Sequence, residues 1–363
     1  MLSSSAQRLE QAQRLHQSGD LSNAEDLYRQ VLKDEPNNPV ALHLLGLLAH
    51  QAGSNEGAMK LINQALSIQP DYAEAHNNLG LILQSEGRLD EAVDCFNKAL
   101  EFNPEYPDAH SNLGLARQYQ GRPMEAIESY QRAIELAPEF FLAHANMGNA
   151  FGDLSQLEEA AESYQKALNI EPNFAEVHNY LGTTQFKLGQ IDAAIASFKK
   201  STSLLPDFPD GFNNLGLALQ AQNRHEEAIP CHRRALSIRP NYAEAHNNLG
   251  TAQEALDQPE EAITSYKKAI DYAPNFREAF LNLGELYEKS QEFKEAKAQL
   301  EKALEISPDY AAAEIALAAV LRRLGLNQEA IEKLEALSTD NLSKAEIDKR
   351  QFELGMLYDL EGR

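Results

Sequence analysis

Apolar and small residues return along this chain at helical spacing, in paired stretches separated by short polar turns. Leu42, Leu45, Gly46 and Ala49 stand at i, i+3, i+4 and i+7, and His76, Leu79, Gly80 and Leu83 keep the same offsets. Such spacing puts four residues on one face of an α-helix. A second helical stretch follows each first one, with a small–large–small stripe such as Ala92, Phe96 and Ala99, or Ala262, Tyr266 and Ala269. Gly53, Gly87, Gly121, Gly189 and Gly325 mark the turns between the two stretches. The pattern predicts helical hairpins and no strand-rich segment.

The hairpins have a fixed period. ALSIQPDYAEAHNNLG at 65–80 returns as ALSIRPNYAEAHNNLG at 235–250. Pro36, Pro70, Pro104, Pro138, Pro172, Pro206, Pro240, Pro274 and Pro308 form a ladder with a step of 34 residues. A step of that size is the mark of a stacked repeat array. With the ladder proline as position 32, repeats begin at Ser5, Pro39 and so on to Ala311. Position 8 is glycine from Gly46 to Gly284, and position 20 is alanine from Ala24 to Ala330. Glycine inside a helix costs about 1 kcal/mol against alanine, so its recurrence predicts two helices in close approach, with the position 20 alanine facing it. The ladder proline ends the second helix. The aromatic at position 34, from Tyr72 to Tyr310, is read as a staple at the start of the next first helix. Pro39, Pro107 and Pro209 fit the first turn, where a missing N–H costs little.

Leu-Gly at positions 7 and 8, a small residue at 20, an aromatic at 24, Ala at 27 and Pro at 32 resemble the tetratricopeptide repeat over residues 5–344. The tryptophan the family often carries at position 4 is missing, because the chain has none. The resemblance implies an all-α, right-handed superhelical α-solenoid of stacked helix-turn-helix units. The repeats run 5–38, 39–72, 73–106, 107–140, 141–174, 175–208, 209–242, 243–276, 277–310 and a degenerate 311–344, with 345–363 as the first helix of an incomplete eleventh. Length alone would predict two or three domains, but a repeat array makes one elongated solenoid stabilised by neighbour contacts.

Charge narrows the partners. The net charge is −23, which disfavours nucleic acid, whose phosphates would be repelled. Part of it has a structural cause: Glu91, Glu125, Glu159, Glu227, Glu261, Glu295 and Glu329 recur near the start of the second helix, where the helix dipole favours a carboxylate. No apolar run is long enough to cross a bilayer, and MLSSSAQRLEQAQRLHQ lacks the apolar core of a signal peptide. Cys95 and Cys231, both at position 23 and four repeats apart, lie beyond disulfide reach and are read as small buried residues of a reducing compartment. A cytoplasmic location is expected.

Candidate chemistry is sparse. His76, His110, His144, His178 and His246 recur at position 4, on the packed face, at least one repeat apart and too far to share a metal ion. In HEEAIPCH, His225 and His232 stand about 10 Å apart along one helix, which one ion cannot bridge. There is no phosphate loop, no HExxH and no nucleophile elbow. No catalytic residue, metal or cofactor is expected, and the chain is not read as an enzyme.

The informative residues are asparagines. Asn78, Asn112, Asn146, Asn214, Asn248 and Asn282 stand at position 6, with Tyr180 filling the gap in the sixth repeat. Positions 2, 6, 9 and 13 lie opposite the packed face of the first helix. Asparagine is a mediocre helix former, yet its carboxamide carries both a donor and an acceptor. The ladder resembles the tetratricopeptide arm of O-linked N-acetylglucosamine transferase, which implies that these seven residues hold an extended peptide by its main chain in a concave groove. The other reading is that the asparagines bond one another between repeats. Their companions Asn77, Asn179, Asn213 and Asn247 at position 5 are read as packing residues. At position 9, Leu47, Leu81, Leu115 and Leu217 give way to Asn149, Thr183, Thr251 and Glu285, so the early groove is the more apolar. Acidic residues at position 2 (Glu74, Asp108, Glu176, Asp210, Glu244 and Glu278) argue against a basic clamp for a C-terminal carboxylate.

At the end of the chain, Ser343-Lys344-Ala345-Glu346 reads as a capping box. QFELGMLYDLEGR then restores the first-helix pattern with no second helix after it, leaving Phe352, Leu354, Leu357 and Tyr358 without a partner. The natural chain is expected to continue, and the segment resembles the junction of bacterial tetratricopeptide–sulfotransferase fusions. Two functions follow: a scaffold that binds proteins through extended segments, or the substrate-recruiting arm of a sulfotransferase or glycosyltransferase whose catalytic domain lies beyond residue 363. Self-association through the exposed C-terminal end is a further expectation.

Overall fold

The computed structural model describes residues 4–339 and 342–362. Met1, Leu2, Ser3, Asp340, Asn341 and Arg363 lie outside the described residues, and with them the first residues of the segment read above for a leader and part of the insertion before the last helix.

Among the described residues every regular element is an α-helix. The chain divides into two compact units at Thr184 and Gln185. The first unit contains α1 (Ser4–Gln17), α2 (Leu21–Asp34), α3 (Pro39–Gln51), α4 (Asn55–Ile68), α5 (Ala73–Ser85), α6 (Leu89–Phe102), α7 (Pro107–Tyr119), α8 (Pro123–Leu136), α9 (Phe141–Asp153), α10 (Leu157–Ile170) and most of α11 (Ala175–Lys187). The second contains α12 (Ile191–Leu204), α13 (Pro209–Ala221), α14 (His225–Ile238), α15 (Ala243–Ala255), α16 (Pro259–Tyr272), α17 (Arg277–Lys289), α18 (Phe293–Ile306), α19 (Ala311–Arg323), α20 (Asn327–Ala336) and α21 (Lys344–Glu361).

Within each unit the helices pair as hairpins, α3 on α4 or α13 on α14, and stack on the next hairpin, as an α-solenoid does. First helices of successive hairpins also touch: α3 with α5, α5 with α7, α13 with α15 and α15 with α17. Second helices make no comparable contact among the described residues. The first helices therefore lie on the inner side of each stack.

The repeated glycine and alanine have separate jobs. All ten position 20 alanines are fully buried. The tightest approach to the position 8 glycine, however, comes from the position 24 side chain. A Cβ on Gly80 would lie 2.6 Å from the Phe96 ring, and one on Gly114 would lie 2.6 Å from the Tyr130 ring. Where position 24 is aliphatic, the position 20 backbone is among the nearest atoms too, as Ala58 O is to Gly46 at 3.1 Å. Each buried ring contributes about 1.5–3 kcal/mol over its exposed state.

Turns behave as expected at Gly53, Gly87, Gly121, Gly189 and Gly325, all with positive φ. Ser155, Asn223, Asp257 and Gln291 hold the same left-handed conformation at the same repeat position. The position 34 aromatics are not staples, because a staple residue precedes the N-cap. Tyr72, Tyr106, Phe140, Phe208, Tyr242, Phe276 and Tyr310 are themselves N-cap residues, with no side-chain cap bond. Tyr242 and Tyr310 instead take the guanidinium groups of Arg239 and Arg277 over their rings, each 4.6 Å from the centroid.

Ser343 and Glu346 form the predicted capping box at α21. The apolar residues of α21 find a partner after all. Leu357 is fully buried, and Leu354 and Tyr358 pack on the same cluster as Leu317, Leu321 and Leu334. The Arg322–Glu353 ion pair, at 2.8 Å and largely shielded, ties α21 to α19. Phe352 alone of the four stays open, at 64% exposure.

Candidate functional site

The position 6 asparagines sit on the first helices, and at Asn78, Asn112, Asn248 and Asn282 the amide clasps the preceding hairpin. In the first unit the Asn78 amide Nδ2 lies 2.8 Å from His43 Nε2, and Asn112 Nδ2 donates to Asn77 Oδ1 at 2.9 Å. In the second, Asn248 Nδ2 donates to Asn213 Oδ1 at 3.1 Å and Asn282 Nδ2 to Asn247 Oδ1 at 2.9 Å. Each clasp joins position 6 of one hairpin to position 5 of the one before. Asn77, Asn213 and Asn247 are buried, as is Asn179, in line with the packing role expected of position 5. The alternative of asparagines bonding between repeats is thus met in three clasps, with an imidazole as acceptor in the fourth.

The clasp uses only part of each amide. Asn78, Asn112, Asn248 and Asn282 are half-buried, and among the described residues their Oδ1 atoms have no partner and are not enclosed. Each keeps a carbonyl acceptor and a second N–H, with its rotamer fixed by the bond it already makes. Asn146 is half-buried, and the hairpin before it carries Ser111 at position 5 in place of an asparagine; among the described residues no hydrogen bond forms at its side chain. Asn214, on α13, is likewise half-buried. Tyr180 is 42% exposed, its ring 5.9 Å from that of Tyr164, and the Tyr164 hydroxyl donates to Asn149 Oδ1 at 2.7 Å.

Two buried histidines are part of this line. His43 bonds the Tyr72 hydroxyl through Nδ1 at 3.0 Å and Asn78 through Nε2. Burial pushes its pKa down to about 4, so the ring is neutral. A neutral ring with its proton on Nδ1 donates to the tyrosine and accepts from the amide. His232 fills position 24, where most repeats hold an aromatic or aliphatic side chain, and packs against Gly216. Its Nδ1 lies 3.0 Å from Asn213 Oδ1 and its Nε2 lies 2.8 Å from Gln220 Oε1. Burial lowers its pKa to about 4. Gln220 reaches on to Asn248 O and Thr251 Oγ1, so this network ends at a ladder residue.

The position 4 histidines serve the turns. His76, His110, His144, His178 and His246 each direct Nε2 at the carbonyl of the ladder proline six residues earlier, at 2.9 Å or 3.0 Å. A carbonyl freed at the end of the preceding helix gains a donor. Histidine at this position was legible as packing, but its hydrogen bond was not. Among the described residues no group of three or more His, Cys, Asp or Glu could hold a metal ion, and no helix is long and apolar enough to cross a membrane. Both cysteines are free thiols, half-buried and not buried as expected, because position 23 lies beside the packed stripe of the second helix; partial burial still pushes the Cys95 thiol up to about 11.

Position 9 does not divide cleanly between the units. Leu47, Leu81 and Leu115 are half-buried in the first unit together with Asn149 and Thr183, and the second holds Leu217 together with Thr251 and Glu285. The position 2 acids are partly neutralised: Asp210 pairs with Arg239 at 2.9 Å and Glu278 with Arg277 at 3.1 Å.

Tetratricopeptide repeat profiles match residues 15–82, 73–106, 107–140, 210–275, 247–311 and 281–341, and a TPR repeat profile matches 148–189 and 184–223. No curated protein matches the chain. Yeast Tom70 is similar in structure, 16% identical, covering 98% of this chain and 96% of its own with a TM-score of 0.50. Pseudomonas aeruginosa pilF is 20% identical over 57% of this chain and 94% of its own, with a TM-score of 0.52. YrrB, described as a TPR protein with an unusual peptide-binding site, is 24% identical over 52% of this chain and 96% of its own; its TM-score is 0.46. The first two likenesses support the fold and nothing finer, and the third is too loose to add to them. With profiles spanning 15–140 and 148–341, the chain belongs to the tetratricopeptide repeat family.

Proposed function

We propose that the inner line of first helices holds extended polypeptide segments by their main chain, so that the protein acts as an interaction scaffold and not as a catalyst. The observation that carries this reading is the set of clasped amides with open carbonyls at Asn78, Asn112, Asn248 and Asn282. A backbone N–H of the partner donates to Oδ1, and the free amide N–H donates to a backbone carbonyl. Because the clasp fixes the rotamer beforehand, less ordering entropy opposes binding. An extended strand rises about 3.3 Å per residue and stacked helices lie roughly 10 Å apart, so within each unit one amide meets about every third partner residue. Asn146 and Asn214 continue the line, and Tyr180 offers a ring face to an apolar or proline side chain.

The partner is a protein or extended peptide. The net charge of −23 opposes nucleic acid, and free half-buried thiols suit a reducing, cytoplasmic setting. The test uses a peptide selected on the full chain from a random display library. Its affinity is measured by calorimetry for wild type and for Asn→Ala changes at 78, 112, 214 and 248, with melting curves to verify folding. Losing two ladder amides should weaken binding about tenfold or more. Unchanged affinity across the set removes the ladder reading.

The second reading, a recruiting arm for a sulfotransferase or glycosyltransferase, rests on the resemblance of the ladder and of QFELGMLYDLEGR. It adds a catalytic domain downstream and leaves the peptide site unchanged. Reading the gene past residue 363 tests it: a phosphate-cradling loop after a strand supports the arm, and a stop codon or further repeats remove it.

A further inference from the structure

In the second unit α17, α19 and α21 enclose a cavity of ≈ 230 Å³. Its walls combine two chemistries. Ala312, Ile315, Ala316, Ala319 and the exposed Phe352 make an apolar surface, while Glu285, Glu288, Glu346 and Glu353 stand with Lys349 around it. The volume falls short of a pocket for a whole small-molecule ligand but suits one aliphatic or aromatic side chain.

The carboxylates are not equivalent. Glu353 is held by Arg322 and Glu346 by its capping box. Glu285 and Glu288 are half-buried, and their carboxylates take part in no ion pair or hydrogen bond among the described residues. Burial pushes both carboxyls above the usual range; Lys349 and Lys289 oppose this at Glu285, and the neighbouring Glu353 adds to it at Glu288. Two shielded, unpaired carboxylates beside an apolar floor favour a ligand that brings cations and an apolar group together. A bare metal ion would leave the floor unused, and a phosphate would be repelled.

We propose that this socket takes an apolar side chain of a partner polypeptide flanked by lysine or arginine, with the anchor on the alanine floor against Phe352 and the cations at Glu285 and Glu288. It rests on the peptide-scaffold reading only in taking a polypeptide as ligand, since the socket residues lie outside the asparagine ladder.

The test is fluorescence anisotropy on the full chain with three labelled glycine–serine peptides that carry Lys-Leu-Arg, Lys-Gly-Arg or Glu-Leu-Glu at the centre. The Lys-Leu-Arg probe should bind about tenfold tighter than the Lys-Gly-Arg probe, and the Glu-Leu-Glu probe should not bind. Changing Glu285→Gln and Glu288→Gln together should weaken Lys-Leu-Arg binding about fivefold. The control pair Glu226→Gln and Glu260→Gln, both exposed on other helices, should change it less than about twofold. Equal binding of the two basic probes would mean attraction to the acidic surface alone and would overturn the proposal, as would unchanged affinity in the Glu285/Glu288 variant. A dimer seen by sedimentation that dissociates in Phe352→Ser would assign the socket to a second copy and overturn it too. Loss of the ladder reading through the asparagine variants would leave these ratios untouched.

Discussion

Asn112 in the first unit and Asn248 in the second make the same bond to the hairpin before them, yet they stand in different surroundings. Around Asn112 the inner side is apolar, with Leu81 and Leu115 half-buried next to the ladder. Around Asn248 it is mixed, with Leu217 and Thr251 half-buried at the same two places, and the clasp acceptor Asn213 is also tied to the buried His232. Further along the second unit, Glu285 takes the place that leucine holds at 47, 81, 115 and 217. On the proposed reading one repeat supplies the same main-chain contact throughout, while position 9 and position 24 set the local chemistry. Selectivity for a partner is expected to differ between the units even though the ladder does not.

Acid offers the strongest way to break that comparison. The pKa values of His43 and His232 are lowered to about 4 in the fold, against about 6.5 in an unfolded chain. The native state thus binds fewer protons than the unfolded one. Each histidine's stabilisation is intact at neutral pH and is lost as pH falls from about 6.5 towards about 4. Between pH 7 and pH 5 each should withdraw about 2 kcal/mol. Protonation at His43 also ends its acceptance of the Asn78 amide, because the imidazolium has no lone pair. His43→Asn, which recreates the amide–amide clasp used elsewhere, should reduce the acid sensitivity of the first unit, leaving the smaller share carried by His76 and His110. His232→Tyr, which recreates the ring over glycine seen at Tyr130, should do so for the second. Denaturant titrations of these variants at both pH values measure this; an undiminished pH slope would contradict it.

The clasp itself comes next in size. Asn112→Ala leaves the buried Asn77 carbonyl without its donor and should cost about 1 kcal/mol. Asn146→Ala removes no hydrogen bond and should cost close to nothing. Equal losses in thermal melts of the two variants would mean that the clasp adds no stability.

The turns give the smallest contrast. The first unit has glycine at four of its five left-handed turn positions, with Ser155 as the exception, whereas Asn223, Asp257 and Gln291 hold that conformation in the second. Gln291 has no short polar side chain to ease the conformation, so Gln291→Gly should stabilise by about 0.5–1 kcal/mol. A destabilised Gln291→Gly in the same melts would show that the turn carries no strain.

Much of this could be read from residue positions. The proline step, the Leu-Gly pairs and the buried position 20 alanines located the hairpins because helix packing repeats with the sequence. The asparagine line was visible for the same reason. Its clasps were not, since Asn78 and His43 lie 35 residues apart and meet only once hairpins stack. The histidine bonds to the proline carbonyls escaped notice because they depend on side-chain direction over six residues. Helical spacing also has nothing to say about turns, so the left-handed Ser155 and Gln291 went unread where glycine was absent. The acidic socket needed α21 folded back on α19, and the exposed end expected there proved to be mostly covered by Leu354, Leu357 and Tyr358.

Calorimetry with a selected peptide and its backbone N-methylated analogues tests main-chain recognition most directly, because it alters the ligand and leaves every clasp intact. Methylating every third amide nitrogen in the register that meets the ladder should weaken binding by about tenfold or more, whereas truncating the side chains at those same residues should change it little. Full affinity for the methylated peptide in every register would contradict the account.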